Sequence, residues 1–281
     1  MRHVATQNTP VASDAIVRDV ITHTPALVLQ VRPFSKTSHI VTWLTPEQGR
    51  ITTSVKGACR PKSAFLGQYD LFYTCDLLYY TRDHDHVHAA RECTPVDRRD
   101  SLRSNWRAAA AAAYLVDLTA RALPPGHPHP ELYTALVWTL DQLALGHAPL
   151  NLVLRYEIIV LNSLGLLPNW TLCPTCHTEP SAWLRFSLPA GRFLCAHTPP
   201  PHPRETVLSL SHTTHRLFTR YMAPHRAALS TPASSNKNEP RTNLLLGLSR
   251  FLGIFITFHL DVSPNARRVA MELLYTHCTQ G

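Results

Sequence analysis

The sequence predicts an α+β chain of several units: a small β barrel, then a helical bundle interrupted by a cysteine-bearing insertion. Three observations lead there. Apolar and polar residues alternate with a period of two through residues 25–95, and from Asp97 onward the period lengthens to nearly four. Cys173, Cys176 and Cys195 then punctuate a stretch that is neither regularly helical nor regularly extended. At 281 residues the chain has sequence enough for two or three cooperating units.

Residues 1–24 hold no periodic pattern and are expected to be a mobile extension. The first strand is placed on Leu27, Leu29 and Val31, and the second on Ile40 to Leu44. Pro46-Glu47-Gln48-Gly49 supplies the turn into a third strand starting at Ile51. A basic loop, Gly57 to Lys62, leads to a fourth strand over Tyr69 to Tyr80. Asp83-His84-Asp85-His86 turns into a fifth strand over His86 to Cys93. Five short strands within residues 25–95 suit a barrel of the oligonucleotide-binding (OB) type, with an SH3-like barrel as the alternative.

The Ala-rich run Trp106 to Leu123 has the composition of a helix that packs closely on its neighbours, and Pro124-Pro125-Gly126 stops it. Pro130 and Pro149 each suit a first helical turn, so helices are expected from Pro130 to Gly146 and from Pro149 to Gly165. These form the first part of a helical domain, residues 96–168. Residues 169–204 are the insertion. Residues 205–281 complete the helical domain, with helices over Glu205 to Tyr221 and Thr242 to Leu260 and a last one starting at Ser263-Pro264. Residues 230–240 read as a disordered linker.

Lys and Arg number 27 against 19 Asp and Glu, a formal charge of +8 on a chain with only 16% charged residues, which makes a polyanionic partner plausible. Seven cysteines, odd in number and unevenly spread, do not make a secreted disulfide framework. No apolar run is expected to reach the ~18 residues of a membrane span, and the start of the chain lacks the pattern of a signal peptide. A reducing cytoplasm and no membrane are the expectation.

Positive charge concentrates on the barrel sequence: Arg32, Lys36, Arg50, Lys56, Arg60 and Lys62, against Glu47 alone. Phe34 and Phe65 stand beside lysines in expected loops and are candidates to stack on bases. Arg98, Arg99, Arg103 and Arg107 crowd the start of the first helix, where their charge opposes the dipole and so suggests phosphate.

Cys173-Pro174-Thr175-Cys176 has the two-residue spacer that turns both sulfurs toward one tetrahedral ion, as in a zinc knuckle, and Cys195 stands where a second knuckle should be. Thr198 occupies the position of its fourth cysteine, so the fourth ligand is sought among His197, His202 and His177, with His197 preferred. Zn2+ is therefore a possible cofactor of a zinc-ribbon-like segment. His84, His86 and His88 alternate and keep a metal-dependent hydrolase in play, although no P-loop, GxSxG, HExxH or Rossmann glycine pattern accompanies them. An RNA-binding factor built from an OB barrel and a ribbon is the other alternative.

Five runs stand in order along the chain: ALVLQVRPFSKTSHIVTWLTPEQGRI, VKGACRPKSAFLGQYDLF, the helical pair AAAAYLVDLTARALPPGHPHPELYTAL, LRYEIIVLNSLGLLPNWTLCPTC, and FHL near the C-terminus. In these the chain resembles the RecO family of recombination mediators. The resemblance implies an OB domain, a helical domain and a zinc ribbon. It implies a non-catalytic protein that binds single- and double-stranded DNA and anneals complementary strands. It also implies two partners, RecR and the acidic, apolar C-terminal tail of single-stranded-DNA-binding protein, and a role in loading recombinase onto coated strands. Carried over by motif, the basic residues are Arg32, Lys36, Arg50, Lys56, Arg60 and Lys62, and the metal ligands are Cys173, Cys176 and Cys195.

Overall fold

The computed structural model describes residues 20–81, 87–167, 176–177, 183–189, 191–195, 206–222, 242–260 and 264–275. The barrel comprises β1 (Val20–Ser35), β2 (Ser38–Thr45), β3 (Gly49–Val55), β4 (Thr74–Thr81) and β5 (His88–Asp97). It closes in the order β1-β2-β3-β5-β4, with β3 and β5 parallel and the other pairs antiparallel. That order is the Greek-key closure of an OB-type barrel.

Inside, Trp43, Val28, Val41, Val55, Cys75, Leu77 and Tyr79 fill the barrel. The Trp43 indole Nε1 donates to Thr53 Oγ1 at 2.9 Å, so its polar edge is satisfied in the dry core. Alternation fails on β1, where Ala26, Leu27, Val28 and Leu29 are all buried. Ala26 and Val28 face the barrel interior, whereas Leu27 and Leu29, with Leu44 of β2, join the core of the helical domain. A shift of register between Val28 and Gln30 accommodates the change.

Several boundaries differ from expectation, among them the end of β5, at Asp97 rather than Cys93. Val20 to Thr24 belong to β1, paired with Thr81 to Leu77 of β4, so strand structure reaches into the expected extension; residues 1–19 lie outside the described residues. Tyr69 to Tyr73 are turns and loop rather than strand, because Asp70 Oδ1 accepts from Leu71 N at 2.8 Å and Phe72 takes φ +73°.

The helical domain begins with the single turn α1 (Ser101–Ser104), followed by α2 (Trp106–Ala122), α3 (Pro130–Ala144) and α4 (Pro149–Ser163). Asn105 caps α2 by accepting from Ala108 N, and Pro opens α3 and α4 as expected. A three-stranded sheet follows, β6 (Trp183–Ser187), β7 (Arg192–Leu194) and β8 (Val207–Ser211) in the order β7-β6-β8. Then come α5 (His212–Met222), α6 (Thr242–Leu260) and α7 (Pro264–Tyr275). The expected helix from Glu205 is corrected here. Val207 to Ser211 pair with β6, and the helix starts only at His212, where Ser211 Oγ accepts from Thr214 N. The expected linker 230–240 lies outside the described residues.

Phe186 of β6 packs against Phe193 of β7 and against Phe251 and Phe255 of α6, which ties the small sheet to the helical core. Deeper in the bundle Glu157 is fully buried. It accepts from Tyr114 Oη at 2.6 Å and from Arg267 Nε and Nη2 at 2.7 and 3.0 Å. Burial pulls the Arg267 guanidinium down and Glu157 more than restores it, so it stays charged and neutralises the carboxylate. Residues 243–260 of α6 are long and apolar enough by composition to cross a membrane, against expectation. In the fold Leu248, Phe251, Leu252, Phe255 and Ile256 of this helix are core residues.

Candidate nucleic-acid interface

One end of the barrel is built by tying two turns together. Cys59 N donates to Thr37 O at 3.1 Å and Gly57 N to Ser38 Oγ at 3.4 Å, so the loop after β3 lies on the β1–β2 turn. Gly57 holds φ +72°, a conformation that other L residues adopt only at a cost, and the loop tightens through Arg60 N to Gly57 O at 3.1 Å. Beneath it, the His39 ring joins two neighbours, with Nδ1 2.8 Å from Tyr69 Oη and Nε2 3.3 Å from Cys59 Sγ. Burial raises the Tyr69 hydroxyl well above its ordinary range, so this phenol stays neutral.

The construction brings Lys36, Lys56, Arg60 and Lys62 to one end, all exposed, with Arg32 on the adjoining stretch of β1 and Phe34 68% exposed beside them. Among the described residues none of these five cations forms an ion pair. Uncompensated like charge on fixed turns destabilises the free protein slightly and favours a polyanion.

Four expected contacts are placed differently. Arg50 stands six strand residues from Lys56, about 20 Å along β3, and its Nε donates to Leu123 O at 2.8 Å. Burial lowers its guanidinium from the ordinary value, and Gly126 N donates back to Arg50 O at 3.0 Å. Arg50 therefore locks the β2–β3 turn to the end of α2 and serves as a domain joint, with its side chain half-buried. Gly49 beside it has φ +64°, and a Cβ there would lie 1.8 Å from His127 O.

Arg99, expected at phosphate, is a buried joint instead. Its side chain is 2% exposed, with Nε 2.7 Å from Asp141 Oδ1, and Nη1 donates to Phe72 O at 2.6 Å and Thr74 Oγ1 at 3.0 Å. It fastens the barrel to α3 and has no face for DNA. Phe65 is half-buried and packs on the barrel core rather than standing free. Arg103 remains exposed but is engaged, with Nη2 2.8 Å from Asp70 Oδ2 and 3.1 Å from Tyr73 Oη. Arg98 is exposed. Arg107 lays its guanidinium carbon 4.3 Å from the centroid of the Trp106 ring, and Trp106 is itself 50% exposed.

The metal expectations meet the described residues only in part. Cys176 and Cys195 are half-buried, and Cys195 directly follows β7. Cys173 and His197 lie outside the described residues, as do His84, His86 and His202. His177 is described, exposed and at φ +55°. His88 sits on β5 with its ring centroid 5.3 Å from that of Tyr79. Among the described residues no three His, Cys, Asp or Glu are grouped to hold an ion.

Sequence reasoning missed a groove between α6 and α7. Its volume is about 720 Å³; Ile254, Phe258, Gly253 and Met271 line it, with Arg250 and with Arg268 paired to Glu272. Ile254 and Phe258 are 46% and 51% exposed, an apolar surface open to solvent. The detectable signal was α6 itself, which is apolar around more of its circumference than one core face requires.

Comparison with known proteins agrees with this architecture. The family model described as Recombination protein O N terminal matches residues 20–99, and the one described as Recombination protein O C terminal matches residues 103–268. Proteins named DNA repair protein RecO from Bacillus mycoides (strain KBAB4) and Bacillus cereus (strain AH187) are each 26% identical over 231 residues, covering 82% of this chain and 92% of the relative. The same identity and coverage are found with DNA repair protein RecO of Bacillus anthracis. The N-terminal match coincides with the closed barrel and the C-terminal match with the helical bundle and its small sheet, and the chain belongs to the RecO family.

Proposed function

We propose that this RecO family DNA repair protein binds single- and double-stranded DNA mainly through phosphates and anneals complementary strands, making and breaking no covalent bond. The observation that carries the reading is the barrel end, where four exposed cations on two interlocked turns, with Arg32 on the adjoining strand, have no ion-pair partner among the described residues. Annealing needs both backbones neutralised without a grip on base edges, so that strands can slide into register. Main-chain-anchored Lys and Arg supply that chemistry with little sequence preference.

The acidic, apolar tail of single-stranded-DNA-binding protein fits the groove between α6 and α7, where Phe258 and Ile254 offer apolar contact and Arg250 offers charge. RecR, recombinase loading and action in the bacterial cytoplasm at the nucleoid follow from the family likeness. Zinc belongs to the same reading: Cys173, Cys176, Cys195 and His197 would hold it, and it would fix the insertion rather than act on DNA. The metal content of the purified protein, compared with that of Cys176→Ser, tests this; equal content overturns it.

A strand-annealing assay on naked strands and on strands coated with single-stranded-DNA-binding protein tests the function. Faster annealing in both is expected. Phe258→Asp should abolish acceleration on coated strands and leave naked strands unaffected. No acceleration on naked strands overturns the annealing reading, and unchanged acceleration on coated strands moves the tail elsewhere.

A further inference from the structure

We infer that Trp106 at the start of α2 is a stacking site for one unpaired nucleobase, which makes the protein's hold on a single strand weaken as that strand becomes duplex. The inference rests on the DNA-binding reading above and names a site and a ligand class that reading does not include. An indole that is half exposed at a helix start costs solvation without serving the core, and Trp106 contributes to neither hydrophobic cluster. Its ring is nonetheless held in place. The Arg107 guanidinium carbon lies 4.3 Å from its centroid, covering one face, and Arg107 Nε is buried with no hydrogen-bond partner among the described residues. With one face backed by a cation, the exposure that remains presents a flat, electron-rich surface whose natural complement is another π system.

The surroundings select which π system. Arg98 is exposed nearby in sequence, and α2 has no acidic residue in its first turn, so beyond the Asn105 cap no carboxylate of its own offsets its positive end. Through Arg103, held 2.8 Å from Asp70, the helix start is joined to the loop that also carries Arg60 and Lys62. An aromatic plate with Arg107 on one face and Arg98 nearby suits an aromatic ligand that carries its own anion, and a nucleotide of single-stranded DNA is such a ligand. In duplex DNA both faces of every interior base are already stacked on neighbours, so the plate has nothing to receive. Phosphate contacts persist through annealing while this contact is lost, which biases release toward the finished duplex.

The test uses the full chain with three probes of equal length: a single strand, the same strand with abasic sites throughout, and a duplex. Wild-type protein is expected to bind the single strand about 10-fold more tightly than the abasic strand. Trp106→Ala should remove that difference while leaving abasic and duplex affinities within about two-fold, and Trp106→Phe, which keeps a ring, should preserve part of it. If Trp106→Ala weakens all three probes equally, or none, the stacking site is overturned; an equal loss would mark Trp106 as structural. A wild-type protein that binds none of the probes would instead defeat the DNA-binding reading itself. If Trp106→Ala leaves all DNA binding intact and abolishes a protein contact such as self-association, the plate is a docking surface and the inference is again overturned.

Discussion

Replacing Lys56, Arg60 and Lys62 together by Ala is the sharpest perturbation of the barrel end, because it removes three of five exposed cations and touches no core residue. Each single-strand phosphate contact contributes about −0.7 to the slope of log K against log salt, so five contacts give about −3.5 and the remaining two about −1.4. Between about 50 and 200 mM salt the wild-type affinity should fall about 100-fold and the variant affinity only about 7-fold. Fluorescence anisotropy of a labelled single strand, titrated at several salt concentrations, measures both slopes, and thermal unfolding confirms that the variant is folded. A wild-type slope near zero, or an unchanged slope in the triple variant, refutes the assignment of phosphate contacts to this end.

Arg99→Met should lower stability by about 3 kcal/mol, since it leaves Phe72 O and Asp141 without their donor at a buried joint. The salt slope of DNA binding should not change; a stable variant with a shallower slope would restore Arg99 to the DNA surface. Gly49→Ala should destabilise by more than the 1–2 kcal/mol that a positive φ costs alone, because the new Cβ meets His127 O at the interdomain contact; an unchanged Tm would show that the contact yields freely. His259 has its imidazole pKa lowered by burial from an ordinary 6.5, so the fold favours the neutral ring. Its contribution is present above pH 6.5 and is lost as pH falls from there through the lowered folded value. His259→Leu should flatten that part of the Tm-against-pH curve, and an identical curve would refute the assignment.

How much of this was legible in the sequence depends on whether the deciding contact is local. Pro130 and Pro149 announce helix starts, and Pro264 another, because the constraint lies within the residue itself, and all three stand where the helices begin. Pro46 to Gly49 likewise encode their own turn. Val207 to Ser211 do not: the run is short and ambiguous alone, and only pairing with Trp183–Ser187 makes it a strand. The cations divide on the same principle. Sequence shows that Arg50 and Arg99 are charged, but their partners, Leu123 O and Asp141, lie 73 and 42 residues away. A guanidinium committed to a distant carbonyl or carboxylate looks the same on paper as one waiting for phosphate. Lys36, Lys56, Arg60 and Lys62 were legible as a group because the loops that carry them are adjacent in a simple hairpin order. The groove between α6 and α7 was not, since it exists only where two helices leave their apolar faces incompletely covered.

The sixteen residues of β1 serve two interiors at once. Leu27 and Leu29 are dry only because the helical bundle is folded, and Ala26 and Val28 only because the barrel is. One continuous backbone thus carries alternate side chains into two interiors, so neither interior can open without wetting the strand that seals the other. The two halves should melt as a single cooperative unit. A barrel excised after Asp97 would present Leu27, Leu29 and Leu44 to water as a ready-made surface for self-association. Dividing this chain at its apparent domain boundary would therefore not yield two independent proteins, but one exposed seam.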